Sequence, residues 1–353
     1  MKIALITDTH WGARNDSLHF LDFYEKFYND TFFPMLDKEG IDTVIMLGDT
    51  FDRRKYINYL TLKRAKEIYF DELSKRKIKT YILVGNHDTT YKNTNEVNSI
   101  ELLLEDYNNI TTISGPKTIH IDDTSICMMP WICADNYEIS MEEIKNTNAT
   151  ICMGHFEIEG FQMYRGAPSQ EGLEPKLFNK FDTVFSGHYH HKSSKGNITY
   201  LGNPYELTWQ DFDDVRGFHL FDLKTHELEF IKNPNIMFNK IYYDDKKDDI
   251  RTISNMDVSH LKSTYVKVVA VNKTNPYLFD TLINKIYQIG PIDLTIAEDF
   301  TEIEDTEEYD VDQAEDTTTI LDKYVDNLTT DLEKNKVKTI LKELYVEALN
   351  GED

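Results

Sequence analysis

Three times in the first 110 residues, four consecutive apolar residues stop at a polar or glycine position and give way to an amphipathic segment. The runs are Ile3–Ile6, ending at Asp8, Val44–Leu47, ending at Gly48-Asp49, and Tyr81–Val84, ending at Gly85-Asn86. Runs this short and this apolar read as buried strands. The segments between them, 18–36, 60–75 and 96–107, read as helices. In 60–75 the apolar face carries Ala65, Ile68, Tyr69 and Leu73; in 96–107 it carries Val97, Ile100, Leu104 and Tyr107. Strands alternating with helices require parallel strands joined by crossovers, hence an α/β fold.

The rhythm then changes. Short runs at Ser125–Met129, Thr150–Met153, Thr183–Phe185, Ile198–Leu201, Gly217–Phe221 and Leu228–Ile231 are separated by turn residues and predict a second set of strands with fewer helices. Two sheets packed face to face with helices outside accommodate both halves. Beyond residue 235, Val266–Val271 and Ile292–Ile296 flank a helical segment at 277–288, a small β-α-β unit.

Charge divides the chain differently. The formal net charge is −24, and residues 298–353 hold 19 acidic residues against five lysines. Between 298 and 316 there are eleven acidic residues and no basic one, the composition of a solvated linker. Behind it, Ile320, Leu321, Tyr324, Val325 and Leu328 form one apolar stripe, and Val337, Ile340, Leu341, Leu344, Tyr345 and Ala348 another. Such stripes suit helices that dock into a partner groove. The expected organisation is 1–235, 236–297, an acidic linker at 298–317, and helices over 318–353. A strong acidic balance would ordinarily argue against nucleic acid as a partner, unless bound cations invert the local field. No run approaches the 18 apolar residues of a membrane span. Cys127, Cys133 and Cys152 lack metal-binding or disulfide spacing, so a cytoplasmic setting is expected.

Five motifs sit at strand ends: Asp8-Thr9-His10, Gly48-Asp49-Thr50-Phe51-Asp52, Gly85-Asn86-His87-Asp88, Gly154-His155 and Gly187-His188-Tyr189-His190. In open α/β sheets, ligand sites gather outside the carboxyl ends of strands. Carboxylate, imidazole and amide oxygen without thiolate suit divalent manganese, iron or zinc. Period-two spacing puts Asp8 with His10, and His188 with His190, on one side of an extended segment. A lone DxH or GH motif would mean little; five in this order point to two metals. Glycine before Asp49, Asn86, His155 and His188 permits close backbone approach.

These motifs, with the longer stretches GDTFDRRK, YILVGNHDTTYKN, MMPWICADN, ICMGHFEIEGF, GLEPKLFNKFDTVFSGHYH and YLGNPYELTWQDFDDVRGF, resemble the calcineurin-like metallophosphoesterases, and among them the SbcD-type DNA-repair nucleases, phage members included. The resemblance is strong over residues 1 to about 235. It implies a four-layer sandwich of two mixed β-sheets flanked by helices, a small α/β capping subdomain that faces DNA, and C-terminal helices. It implies two divalent metals, Mn2+ or alternatively Mg2+. Asp8, His10, Asp49 and His190 would hold one, and Asp49, Asn86, His155 and His188 the other. His87 would face the scissile phosphate, and Asp52 would orient the His87 ring. The implied activity is exonucleolytic and endonucleolytic hydrolysis of DNA in recombination and repair, as a homodimer, with an SMC-like ABC ATPase docked on the C-terminal helices and, for a phage protein, in the host cytoplasm. The chain has no phosphate loop of its own. The alternative is a phosphomonoesterase such as a protein phosphatase, whose GDxxDRG and GNHE differ here at Arg54 and Asp88.

Weaker signals are read locally. Arg53 and Arg54 are candidates for gripping a DNA phosphate. Asp88 is expected to cap its turn, Tyr189 to pack, and Trp131, after Pro130, to serve in the core or a subunit interface rather than as a base-stacking platform.

Overall fold

The computed structural model describes residues 1–297 together with Val325, Lys334, Lys336, Val337, Lys338, Ile340 and Leu341. By compactness the chain divides into Met1–Glu307 and Glu308–Asp353.

Alternation along the strands builds the layers. Ile3, Leu5, Ile45, Leu47 and Leu83 point to one side of the first sheet; Ala4, Ile6, Val44, Met46, Ile82 and Val84 point to the other. In the second sheet Ile126, Met128, Ile151, Met153 and Phe185 share the first of these cores, while Cys127, Met129, Cys152 and Val184 line a third. One apolar layer is therefore held between two sheets, and each sheet turns its opposite face to helices and loops. The result is an α/β sandwich with two mixed sheets.

The first sheet runs Leu228–Lys232, Gly217–Asp222, Lys2–Ile6, Thr43–Met46, Lys79–Leu83, Ile110–Ile113. The last four are mutually parallel, and Gly217–Asp222 joins them antiparallel. The second runs Ser193–Lys195, Ile198–Tyr200, Thr183–Gly187, Ile151–His155, Thr124–Met129, Lys117–Ile121. Its four inner strands are parallel and its two edges antiparallel. Gly217–Asp222 and Leu228–Lys232 thus complete the first sheet rather than the second, where the change of rhythm had placed them. Local periodicity reports a strand but not its partner.

The two helical segments over the first sheet span residues 18–39 and 59–75, each with a π-helical turn in the middle, Tyr28–Phe32 and Lys66–Phe70. These turns bring Tyr28 and Tyr69, both fully buried, to a ring separation of 4.6 Å. The helix expected over 96–107 is shorter. Residues Thr89–Tyr91 and Thr94–Asn98 form a hairpin, and the helix Ser99–Leu104 starts only where the Asn98 side chain accepts from the Glu101 N–H at 2.9 Å.

After residue 235 three parallel strands, Phe238–Asp244, Tyr265–Asn272 and Asp293–Ala297, carry the helices Ile250–Asn255 and Pro276–Ile289 around a core of their own. Phe238–Asp244 had no counterpart in the sequence reading. The small sheet is anchored on the main body: Met237, Phe238 and Tyr265 join the core under the first sheet, and Glu206 accepts from the N–H groups of Met237 and Phe238 at 2.6 and 2.9 Å. The expected linker at 298–317 lies outside the described residues. So do the expected helices over 318–353, apart from the seven positions named above, which are helical.

Candidate metal centre

The five motifs converge because five parallel strands, three from one sheet and two from the other, end on the same edge of the sandwich. Asp8 and His10 follow Lys2–Ile6, Asp49 and Asp52 follow Thr43–Met46, and Asn86 and His87 follow Lys79–Leu83. His155 closes Ile151–His155, and His188 and His190 follow Thr183–Gly187. The loops are bonded to one another. Asp8 N–H donates to Gly48 O at 3.0 Å, His10 N–H to Asp49 O at 3.1 Å, and His188 N–H to both Asp8 carboxylate oxygens at 3.1 Å.

Such tight convergence strains the backbone. Asp8, His10, Asp49 and His188 all have positive φ, 51°, 42°, 51° and 83°, a region non-glycine residues rarely enter. Strain of this kind persists only where surroundings enforce it, and it gathers at functional sites. Two glycines make room. A Cβ on Gly85 would meet the Asp49 carboxylate and backbone, and one on Gly187 would meet Thr7 Oγ1 and Leu47 O.

Three groups of ligand atoms result among the described residues, one of them His10, Asp52 and His87 and the other two the sets expected from sequence. Asp8, His10 and His190 offer one set within 4.8 Å of each other, and Asp49, His155 and His188 another. Asp49 Oδ2 is 3.3 Å from His155 Nε2 and 3.8 Å from His10 Nε2, so one carboxylate reaches both. Asn86 Oδ1 lies 2.9 Å from His155 Nε2 and 3.0 Å from His188 Nδ1, inside the second group. All seven candidate ligands are thereby brought together. His155 Nδ1 donates to Leu47 O at 2.7 Å, which turns Nε2 toward Asp49 as the nitrogen that would ligate a metal once its proton is displaced. His10 Nε2 and His190 Nε2 face each other at 3.1 Å. Two imidazole nitrogens turned inward between carboxylates, with no thiolate among them, form a donor set that fits divalent cations.

The electrostatics express the same crowding. Burial opposes charge on His10 and His155, yet the surrounding carboxylates outweigh it: Asp52 and Asp49 raise His10 to about 10, and Asp49 and Asp8 raise His155 to about 9. Burial also works against ionisation of Asp49, but His155 and His87 hold it well below the usual carboxylate range. Burial, reinforced by His155, pushes His188 down to about 3.

Asp52 departs from its expected role. Its carboxylate Oδ1 lies 3.4 Å from His10 Nδ1, whereas His87 Nδ1 donates to the Asp52 backbone carbonyl at 2.6 Å. The residue orients His87 through its backbone carbonyl, and its carboxylate lies at ion-pair distance from His10. Asp88 does more than cap a turn. It is fully buried and accepts from Thr50 N–H at 3.0 Å, Phe51 N–H at 3.1 Å and Gly85 N–H at 2.9 Å, tying two ligand loops together. Burial and Asp49 push it up to about 6.

Arg53 is bonded within the protein. It donates to Asn15 Oδ1 at 2.8 Å, pairs with Asp16 at 2.9 Å and stacks over Tyr56, holding a turn in which Arg14, Asn15 and Asp16 all have positive φ. Arg54 is partly buried. Tyr189 packs as expected, stacked on Tyr200 at 4.6 Å. Trp131 is in none of the apolar clusters among the described residues; its ring lies against His188 and His155. Arg216, not singled out from the sequence, is buried and bonds to the His190 carbonyl, Asn203 and Asp211, fixing the loop that carries His190. Its only local sign was an arginine beside an acidic run, Asp211 to Asp214.

Residues 1–192 match the calcineurin-like phosphoesterase family model. The chain is a calcineurin-like phosphoesterase. This phosphoesterase is 33% identical over 358 residues to exonuclease subunit 1 of Enterobacteria phage T4, covering 99% of both chains. It is 24% identical to the DNA double-strand break repair protein Mre11 of Sulfurisphaera tokodaii, over 90% of this chain and 85% of that protein. It is 21% identical to a subunit of the nuclease SbcCD of Staphylococcus saprophyticus, over 65% of this chain and 67% of that protein. The phosphoesterase is therefore an enzyme that hydrolyses phosphodiesters, of the nuclease type. Among the described residues, no helix is long and apolar enough to cross a membrane.

Proposed function

We propose that this phosphoesterase is the nuclease subunit of a DNA recombination and repair complex, cleaving DNA exonucleolytically and endonucleolytically with two divalent metals, Mn2+ or Mg2+. The observation that carries the reading is the Asp49 carboxylate placed between two histidine groups. Asp8, His10, Asp49 and His190 would hold one metal, and Asp49, Asn86, His155 and His188 the other. Divalent metals so held polarise phosphoryl oxygens and supply a water of low pKa.

The protein's own part is orientation. The Asp52 carbonyl fixes the proton of His87 on Nδ1, leaving Nε2 as the nitrogen that meets the substrate. With a second proton on Nε2, as the imidazolium, it would stabilise charge on the phosphoryl oxygens or hand that Nε2 proton to the leaving 3′-oxygen. The Asp52 carboxylate sets the His10 ring, and Asp88 keeps the Asp49 and Asn86 loops in register.

Residues 1–235 form the catalytic domain in this reading, 236–297 a cap over the DNA, 298–317 a linker, and 318–353 the docking helices for an SMC-like ABC ATPase. The names of the relatives, two of them subunits, support a partnered enzyme. A homodimer belongs to the same reading. The setting is the cytoplasm, that of the host for a phage enzyme.

The test is cleavage of single- and double-stranded DNA with Mn2+ or Mg2+, with and without the ATPase, beside a phosphomonoester control and the Asp49→Ala variant. Metal-dependent DNA cleavage that Asp49→Ala abolishes together with bound metal is the expected result. Turnover of the phosphomonoester alone would replace the nuclease with a phosphatase.

A further inference from the structure

Trp131 follows the strand Thr124–Met129 and Pro130. Its backbone is held three times: its N–H donates to Val84 O at 2.8 Å, and its carbonyl accepts from the side-chain amides of Asn95 at 2.8 Å and Asn136 at 2.9 Å. Both asparagines are buried. Val84 immediately precedes Gly85-Asn86-His87, so the backbone that delivers those site residues also positions the indole. A tryptophan anchored this firmly ordinarily fills a core. This one is only partly buried and stays outside every apolar cluster of the described residues. Its ring neighbours are His188, at a centroid distance of 5.2 Å, and His155, at 6.1 Å.

We propose that Trp131 is the stacking platform for the nucleobase adjoining the scissile phosphate, and so a substrate-positioning and specificity residue of the metal centre. The proposal rests on the nuclease reading. An indole offers the largest π-face of any side chain, and every base has a π-face, so stacking recognises a nucleotide without reading its sequence. A phosphate beside His188 and His155 is within one nucleotide of a base lying on the indole. A base inside a duplex has both faces covered by its neighbours. Trp131 therefore selects a nucleotide already unstacked, at a frayed end or in a single strand, and holds its phosphate against the ligand groups.

The experiment is a four-way comparison on the full-length chain with Mn2+. Wild type and Trp131→Leu, which keeps apolar bulk but has no π-face, each cleave an oligonucleotide with a normal terminal nucleotide and one with a tetrahydrofuran abasic analogue there. Loss of one stacked base is worth roughly 10- to 100-fold. Trp131→Leu on normal DNA and wild type on abasic DNA should each lose about that much in kcat/KM, chiefly through KM, and combining the two changes should cost no more than either alone. Trp131→Phe should restore most of the loss. Bound manganese, measured by elemental analysis, should match wild type in both variants. Additive losses, or an undiminished rate for Trp131→Leu, would overturn the platform. A fall in bound metal would make Trp131 a support for His188 and His155 instead. Wild-type protein that hydrolyses a base-free diester but no DNA would overturn the nuclease reading itself.

Discussion

The carboxylate of Asp52 lies 3.4 Å from Nδ1 of His10, on the side of the ring away from the Nε2 that faces His190 and Asp49. A carboxylate behind a ligating histidine fixes the ring and raises its basicity, and losing such a partner typically costs about 10–100-fold in metal affinity or activity. Asp52→Asn keeps the backbone carbonyl that receives His87 and removes the charge that His10 and His87 share. Manganese affinity by calorimetric titration should fall by about that factor. Unchanged metal affinity with lost turnover would place Asp52 on the substrate side.

His87 tests the opposite division of labour. Its N–H donates to Asp49 Oδ1 at 2.8 Å, a backbone bond that survives any side-chain change. His87→Ala should therefore keep two metals per chain while DNA cleavage drops by about 10²–10⁴-fold, the usual worth of a positioned acid or charge stabiliser. Because His87 also lies within reach of His10 and Asp52, elemental analysis decides the matter: an emptied site would make His87 a ligand.

The C-terminal proposal is tested by truncation after Asp316. The stripes with Leu321, Tyr324, Leu328, Ile340, Leu344 and Tyr345 are worth about 1.5–3 kcal/mol per fully buried side chain before ordering costs. The shortened chain should fold, bind manganese and cleave DNA, yet fail to co-purify with the ATPase. Insoluble protein would assign the helices to the chain's own core.

What could be read from sequence follows the range of the interaction. Asp49 was legible because a four-residue apolar run and a glycine announce a strand end, and strand ends collect ligands. Asp88 was half legible: its turn is local, but Thr50 and Phe51 lie 38 and 37 residues away. The nearness of the Asp52 carboxylate to His10 as well as to His87 was not legible, because sequence gives spacing and not the direction of a side chain leaving a loop. Trp131 read as core or subunit interface because apolar bulk after a strand usually serves one of these. Its neighbours His155 and His188 belong to other strands, and only the parallel pairing of Thr124–Met129, Ile151–His155 and Thr183–Gly187 brings them close.

Glu206 ties the small sheet to the main body and carries a pH signature. Its Oε2 accepts from Met237 and Phe238, and burial, reinforced by Asp211, pushes the carboxyl up to about 7 from 4.5. With a raised folded-state pKa, the folded chain binds more protons than the unfolded chain between about 4.5 and 7. The stabilising contribution is thus fully present below 4.5 and is lost as pH rises through 7, by about 2–4 kcal/mol at about 1.4 kcal/mol per pH unit. Glu206→Gln keeps an oxygen acceptor for both N–H groups and cannot ionise. In urea unfolding the two proteins should be equally stable near pH 4.5, and the variant should gain steadily up to pH 7 and hold its advantage above it. Comparing variants cancels the titration of the metal centre, which both share. A stability difference independent of pH would mean that Glu206 is charged throughout and that its bonds to Met237 and Phe238 offset its burial.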